Sequence, residues 1–257
     1  MKDQNHLICF DLDGVLIHSM GMANQIFFDA VEETLNLPTQ AFRHDKKLMA
    51  LSAEERFELL WSNEISSRNI SQQAIEDTLQ LYRDRKLAAD IPLLPHAKGV
   101  VQLMADHFEF MAVVSNNPQS IIEHTLKQLN IRDFFSATFG IDHLKFTKPH
   151  PEIYQTAAHH FGIDPKQCLA FEDSTHGIAS AKGAGMQVIS VATGLESVEE
   201  LKKTPADVVL KDFSELEMEK IRKLLNFWIS QKFTLTSFQN PQIGGSGADI
   251  WNPSQVN

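Results

Sequence analysis

The chain has 257 residues, of which 43% are hydrophobic and 22% are charged, and its formal net charge is −10. These values are ordinary for a soluble globular protein of one large domain or two modest ones, with ample material for a hydrophobic core. The negative charge argues against nucleic acid or an anionic membrane as partner. Neither a signal-peptide core nor an apolar run long enough to span a bilayer is visible, so we expect a cytoplasmic protein.

The first predicted element is a short strand that ends in two carboxylates. Residues 7–10 are all apolar, which is typical of a strand buried on both faces of a parallel sheet. Asp11, Asp13 and Gly14 follow at once, and ligands in open α/β sheets bind beyond the carboxyl ends of such strands. Taken alone, the stretch would also fit a strand followed by an Asp-Gly turn.

Residues 15 to about 90 predict helices and no strand. Apolar side chains recur at helical spacing over residues 23–35, a capping-box pattern begins at Ser52, and a third helix is expected from about Ser71. This region therefore reads as a helical insertion between the first strand and the rest of a sheet.

Beyond residue 90, strands and helices alternate. Apolar runs predict strands at residues 110–114, 137–140, 168–171, 188–191 and 207–210. Helices are predicted at about residues 99–107, 120–129, 149–161, 177–185 and 214–229. This alternation is typical of an α/β fold with a doubly wound parallel sheet.

The predicted organisation is a Rossmann-like core with an inserted α-helical cap. We assign residues 1–17 and 91–229 to the α/β core and residues 18–90 to the cap. Residues 230–257 are rich in Ser, Gln, Asn and Gly, and this composition favours a flexible tail. The alternative is an arm that aromatic residues of the segment anchor to the domain.

Polar side chains follow three of the predicted strands. They are Asp11 and Asp13, Ser115 and Asn116, and Glu172 and Asp173. A parallel sheet brings these strand ends to one edge, where four carboxylates would repel each other unless a cation lay among them. Oxygen ligands suit Mg²⁺, and Lys148 before a predicted helix adds a positive charge. Metal, lysine, hydroxyl and carboxylate together suit phosphoryl transfer.

Each of these residues also has a purely structural explanation. Ser115 alone would be a turn residue, Lys148 a solvated residue in the first turn of a helix, and Glu172 with Asp173 an acidic helix entry. The chemical interpretation depends on the whole set.

Four stretches of the chain, taken together, resemble the ordered motifs of the haloacid dehalogenase superfamily. They are residues 10–16 (FDLDGVL), 113–118 (VVSNNP), 148–154 (KPHPEIY), and 171–178 (FEDSTHGI) followed by 181–186 (AKGAGM). They are most similar to the phosphoglycolate phosphatase and β-phosphoglucomutase-like branch, whose members carry a helical cap. The resemblance covers about residues 5–228, and four motifs in order are far more specific than any one.

The resemblance implies a mechanism with an aspartyl-phosphate intermediate. Asp11 would attack the phosphorus, and Asp13 would protonate the leaving alcohol and then take a proton from the attacking water. Mg²⁺ would be held by the Asp11 side chain, the Asp13 backbone carbonyl and Asp173.

The resemblance also assigns the groups around the phosphate. Ser115 and the backbone of Asn116 would bind phosphate oxygens, and Lys148 would tie Asp11 to the transferring phosphoryl group. Glu172 would be either a metal ligand or a neighbour of the ligands. The cap would close over the site and exclude water.

Three features bear on which reaction of the superfamily is expected. Asp13 favours phosphate-ester chemistry, because dehalogenases and phosphonatases of the superfamily lack this second Asp. If residues 51–55 align with the cap segment that carries a substrate-binding arginine in β-phosphoglucomutases, this chain has Ala53 there, which weakens the mutase alternative. His18 stands where relatives often have an acidic residue, which affects cap gating rather than chemistry.

Basic residues of the cap are candidates for a second contact to substrate. Arg43, Lys46 and Lys47 could supply positive charge to an anionic substrate, although a solvated basic patch is the simpler expectation.

The sequence therefore predicts a Mg²⁺-dependent phosphatase acting on a small phosphorylated metabolite, such as a sugar phosphate or phosphoglycolate. We expect a monomer or weak dimer with no nucleic-acid or membrane partner. The alternatives are a sugar phosphomutase and a non-catalytic regulator that binds phosphorylated ligands on the same fold. Retention of Asp11, Asp13, Ser115, Lys148 and Asp173 argues against the regulator.

Overall fold

The fold is built on one parallel sheet, seen in a computed structural model that describes residues 2–45, 48, 53–142 and 144–225. The strands are β1 (Asp3–Phe10), β2 (Phe108–Val114), β3 (Ala137–Phe139), β4 (Cys168–Glu172), β5 (Gln187–Val191) and β6 (Val208–Leu210). They lie in the order β3-β2-β1-β4-β5-β6, and every neighbouring pair is parallel. The predicted α/β fold is confirmed.

The first strand occupies the centre of this sheet. β1 pairs with β2 on one side and with β4 on the other, and Leu7 to Phe10 are fully buried. The strand order reverses between β1 and β4, so a crevice opens beyond their carboxyl ends. Asp11 is placed at this point, directly after the last residue of β1.

Helices cover both faces of the sheet and form the insertion. They are α1 (Met20–Leu35), α2 (Ala53–Ser67), α3 (Gln72–Ala88), α4 (Ala97–His107), α5 (Gln119–Gln128), α6 (Glu152–Phe161), α7 (Thr175–Ala184), α8 (Val198–Leu201) and α9 (Met218–Leu225). α8 was not predicted from the sequence, although Ser197 and Glu200 form a capping box around its first turn.

The last helix begins later than predicted. The expected start was Ser214, but residues 213–215 form a 3₁₀ turn, in which the Asp212 side chain accepts a hydrogen bond from the Ser214 amide at 2.8 Å. The described part of α9 begins at Met218. A side chain that caps a short turn has displaced the start of the α-helix.

Two hydrophobic layers sandwich the sheet, because alternate residues of each strand point to opposite faces. Ile8 and Phe10 of β1 pack in one layer, where the Phe10 and Phe171 rings stack at 4.7 Å. Leu7 and Cys9 pack in the other layer, with α6 and α7. The ends of β1 and β4 are therefore held by packing on both sides.

The insertion has a hydrophobic core of its own. Phe27, Phe28 and Phe57 surround Trp61, which is fully buried, and the Trp61 Nε1 donates a hydrogen bond to the Pro38 carbonyl at 3.2 Å. The predicted cap to α3 is confirmed, since Ser71 accepts a hydrogen bond from the Ala74 amide. Ser52 and residues 230–257, including the tail or arm predicted there, lie outside the described residues.

Arg43 corrects the expectation for the basic residues of the cap. Its guanidinium is buried and forms ion pairs of 2.6 Å with both Asp29 and Glu32, and it also donates to Thr39. Arg43 therefore holds the start of the α1–α2 connection against α1 and is not a solvated cation. Lys46 and Lys47 lie outside the described residues.

Within the described residues, none of the helices combines the length and the apolar character that a membrane span requires.

Replacement of Trp61 by Ala should destabilise the cap strongly. Loss of a fully buried Trp side chain leaves a cavity, so we expect the free energy of unfolding to fall by about 3–5 kcal/mol. Denaturant unfolding followed by circular dichroism measures this change. The matched control is Leu59→Ala on the same helix, because Leu59 is 63% exposed and its loss should cost less than about 0.5 kcal/mol. Equal effects of the two substitutions would contradict the packing described.

Candidate active site

The turn after β1 brings the Asp11 carboxylate into the crevice. The Asp11 amide donates to the Phe171 carbonyl at 3.0 Å, which extends the pairing of β1 with β4 by one residue. Gly14 follows in the left-handed region with φ +81°, and a Cβ at this position would overlap the Asp173 carboxylate. Only glycine therefore allows the turn to pass so close to Asp173.

Lys148 is the cation at the centre of the site. Its Nζ lies 2.6 Å from Asp11 Oδ1 and 2.7 Å from Glu172 Oε1, and it donates to the Val114 carbonyl at 2.9 Å. An ammonium has three donors, and all three are used. Burial alone would lower the pKa of Lys148, but the charges of Asp11 and Glu172 outweigh burial and raise it above the ordinary value.

Three buried carboxylates meet around this lysine. Oxygens of Asp11, Glu172 and Asp173 all lie within 4.8 Å of one another. Burial, opposed by Lys148 and reinforced by Glu172, raises the pKa of Asp11 to about 8. Burial and the charges of Asp11 and Glu172 raise the pKa of Asp173 well above its ordinary value. The single ammonium of Lys148 therefore does not balance the charge of three carboxylates.

The donor set fits a hard divalent cation. The ligands on offer are carboxylate oxygens, which Mg²⁺ prefers, and a cation among them would relieve the repulsion that raises their pKa values. Glu172 Oε2 is buried and has no hydrogen-bond partner among the described residues. An orphaned carboxylate oxygen inside an acidic cluster is the arrangement that a cation or its bound water would complete.

Tyr154 holds Glu172 from the other side. The Tyr154 hydroxyl donates to Glu172 Oε1 at 2.5 Å, and the Lys148 ammonium lies 5.0 Å from the centre of the Tyr154 ring. Burial and the charge of Glu172 raise the pKa of Tyr154 well above its ordinary value, so the hydroxyl keeps its proton. Sequence reasoning missed this residue. Its signal was a tyrosine on the apolar face of α6, whose hydroxyl needs a buried partner.

Asp13 is held by two donors from different parts of the chain. The Ser19 hydroxyl donates to Asp13 Oδ1, and the Asn117 side-chain amide donates to Asp13 Oδ2. The same Asn117 amide nitrogen donates to Ser115 Oγ at 2.9 Å. Neither Ser19 nor Asn117 was predicted as a site residue, although Asn117 lies within the stretch 113–118.

Asn116 has a supporting position in the structure. Its side chain accepts a hydrogen bond from the Lys148 amide at 3.0 Å, while the residue as a whole is exposed. It therefore fixes the backbone of the loop that presents Lys148. Its predicted backbone contact to phosphate stays a prediction.

The remaining predicted residues fall into two groups. Those gathered at the carboxyl edge of the sheet are Asp11, Asp13, Ser115, Lys148, Glu172 and Asp173. By contrast, His18 is exposed and takes no part in the hydrogen bonds of the cluster. The gathered groups can supply a nucleophilic carboxylate, a second carboxylate for proton transfer and a hydroxyl for oxyanion binding.

The sequence profile of the family described as "Haloacid dehalogenase-like hydrolase" matches residues 8–191. Hexitol phosphatase B of Escherichia coli (strain K12) is 28% identical over 211 residues, which are 80% of this chain and 92% of that protein. Phosphoglycolate phosphatase of Photorhabdus laumondii is 27% identical over 217 residues, 81% of this chain and 89% of that protein.

The fold is also similar to that of a solved structure. The crystal structure of a predicted phosphoglycolate phosphatase from Haemophilus somnus 129pt superposes with a TM-score of 0.71 at 26% identity and covers 85% of this chain and 98% of that one.

Replacement of Gly177 by Ala should disrupt the site. A Cβ at Gly177 would overlap the Glu172 carboxylate, so either α7 or Glu172 must move, and we expect a loss of about 1–3 kcal/mol in the free energy of unfolding. The matched control is Gly183→Ala on the same helix, whose Cβ would have Pro151 as its nearest neighbour, at 3.4 Å. This control should be neutral or stabilising by up to about 1 kcal/mol. Thermal unfolding of both variants tests the expectation, and a neutral Gly177→Ala would refute the contact.

Proposed function

Since this chain belongs to the haloacid dehalogenase superfamily, in the branch of phosphoric monoester hydrolases that includes hexitol and phosphoglycolate phosphatases, we propose that it is a Mg²⁺-dependent phosphatase of a small phosphorylated metabolite. The observation that carries this proposal is the ion pair of Lys148 with Asp11 inside the acidic cluster, with Asp13 held beside it.

The reaction begins at Asp11 in this proposal. The Asp11 carboxylate attacks the phosphorus, and the bond between phosphorus and the alcohol oxygen breaks to give an aspartyl-phosphate. Asp13 donates a proton to the departing alcohol and then accepts one from the water that hydrolyses the intermediate. Lys148 offsets the negative charge that gathers between Asp11 and the phosphoryl group.

The acidic cluster is the proposed metal site. Asp11 and Asp173 would hold Mg²⁺ together with the Asp13 backbone carbonyl, and Glu172 would hold the ion or a water bound to it. Bound there, the ion would neutralise charge on the carboxylates and on the phosphoryl oxygens.

The substrate class is proposed from the relatives and from the cap. The named activities of the two relatives concern phosphates of small polyols and small acids. In this chain α3 of the cap lies against the loop that carries Ser115 through a hydrogen bond from Lys86 to Asn117, and a compact substrate is the kind that a cap in this position can cover. We therefore propose a hexitol phosphate, a related sugar phosphate or phosphoglycolate as substrate.

Replacement of Asp11 by Asn should abolish phosphate release. The variant keeps the shape of the side chain but loses the nucleophile, so we expect the hydrolysis of p-nitrophenyl phosphate to fall by about 10³-fold or more. EDTA should abolish wild-type activity and Mg²⁺ should restore it. Activity that persists in EDTA or in Asp11→Asn would overturn the mechanism.

Mg²⁺ should also stabilise the protein when no substrate is present. A ligand that binds only the folded state raises the free energy of unfolding, by about 2.7 kcal/mol at one hundred times its dissociation constant. Thermal unfolding with and without Mg²⁺ measures the effect, and Asp173→Asn should remove most of it. An equal response in the variant would exclude the acidic cluster as the metal site.

A panel of phosphate esters should rank the substrates. We expect hexitol phosphates, hexose phosphates or phosphoglycolate to be hydrolysed with kcat/KM at least about tenfold above nucleotides, because a compact substrate leaves the cap closed. Malachite-green detection of released phosphate provides the measurement. A sugar phosphate that isomerises without phosphate release would instead support a phosphomutase.

A further inference from the structure

The contact between the cap and the core at Lys86 supports an inference that rests on the proposed function. Lys86 is half-buried near the end of α3, and its Nζ donates to Asn117 Oδ1 at 3.1 Å. Asn117 follows β2 in the core. One hydrogen bond therefore joins the cap to the loop that carries Ser115.

The Asn117 amide carries this contact on to Asp13. Its nitrogen donates to Asp13 Oδ2 and to Ser115 Oγ, while its oxygen accepts from Lys86. An ammonium can only donate and a carboxylate can only accept. The amide therefore has a single orientation that satisfies both neighbours, and Lys86 secures the oxygen side of it.

The second donor to Asp13 also comes from the boundary with the cap. Ser19 immediately precedes α1, and its hydroxyl donates to Asp13 Oδ1. Both carboxylate oxygens of Asp13 thus accept hydrogen bonds, one from Ser19 at the start of the cap and one from Asn117, whose amide oxygen accepts from Lys86. Because each oxygen has a donor, rotation of the carboxylate would break at least one hydrogen bond.

The charge of Asp13 also acts on Lys86, which lies at the other end of this row of hydrogen bonds. Burial would lower the pKa of Lys86, but the negative charge of Asp13 outweighs burial and raises it. The negative charge of Asp13 therefore stabilises the Lys86 ammonium across the Asn117 amide. Hydrogen bonds in such a row also polarise one another.

We propose that Lys86 is a positioning residue, which acts through Asn117 to hold the Asp13 carboxylate in its working orientation when the cap lies against the core. The contact exists only while α3 is close to the loop after β2. Without this contact the Asn117 amide could turn, and the Asp13 carboxylate would then lose one of the two donors that orient it for proton transfer.

Leaving-group dependence separates this role from simple docking of the cap. p-Nitrophenyl phosphate and phenyl phosphate have nearly the same shape, but phenolate is the poorer leaving group and needs the proton from Asp13. A positioned acid contributes about 10²–10⁴-fold, so we expect Lys86→Met to lower kcat/KM, which reports the step in which the phenol leaves, about ten- to a hundredfold more on phenyl phosphate than on p-nitrophenyl phosphate. Equal losses on the two esters, no loss, or a gain would overturn the proposal.

Three further variants make the test specific. Lys86→Arg keeps a charged donor and should recover at least part of the lost selectivity. Arg83→Met removes a positive charge from the same helix, where Arg83 pairs with Glu76 at the surface, and should leave both activities within about twofold. In Asn117→Ala the further change Lys86→Met should have little effect, because the two act in one chain. If the losses caused by Asn117→Ala and Lys86→Met were instead additive, Lys86 would not act on Asp13 through Asn117.

A second readout does not depend on catalysis. The side-chain NH₂ signals of Asn117 in ¹⁵N-labelled protein, identified by their loss in Asn117→Ala, should be shifted in the wild type and move toward the values of a free amide in Lys86→Met. Unchanged signals would refute the role of Lys86. If the wild type hydrolysed neither ester, the proposed function would fail. These signals alone would then show whether Lys86 orients the Asn117 amide.

Discussion

The burial of several like charges at one edge of the sheet is the constraint on which this structure depends. Carboxylates removed from water are costly unless each oxygen finds a partner. Here Lys148 and Tyr154 both reach Glu172, and Lys148 also reaches Asp11. These groups come from β1, β4, α6 and the loop before α6. The acidic cluster therefore needs β1 to be paired with β4 and α6 to be packed beside them.

The packing of the core serves this need. β1 lies between two neighbours and is covered on both faces, so the carbonyls and amides around Asp11 are fixed by the pairing with β4. The cap, in contrast, has a separate hydrophobic core around Trp61 and an internal set of ion pairs at Arg43. A unit with its own core can shift as one body while the strand ends stay in place.

Much of the fold and of the site was predictable from the sequence, for identifiable physical reasons. Buried parallel strands read as continuous apolar runs, and the polar residues that follow them must meet at one edge, which the structure confirms for Asp11, Glu172 and Asp173. What could not be predicted depends on side-chain direction across long separations. Asn117 faces Asp13 and Asn116 does not, although the two are adjacent. Arg43 is paired inside the cap because of contacts with α1 that no local pattern in the sequence indicates.

The pKa of about 8 at Asp11 has a consequence for how a divalent ion would bind at the proposed metal site. A carboxyl group with this pKa holds its proton for much of the time at neutral pH, whereas a metal ligand must be ionised. Uptake of a divalent ion would therefore expel a proton, and the apparent affinity for the ion would rise with pH until Asp11 is fully ionised. Occupancy of the proposed metal site would in this way depend on pH through Asp11 and Asp173, the two buried carboxyl groups whose pKa values are raised.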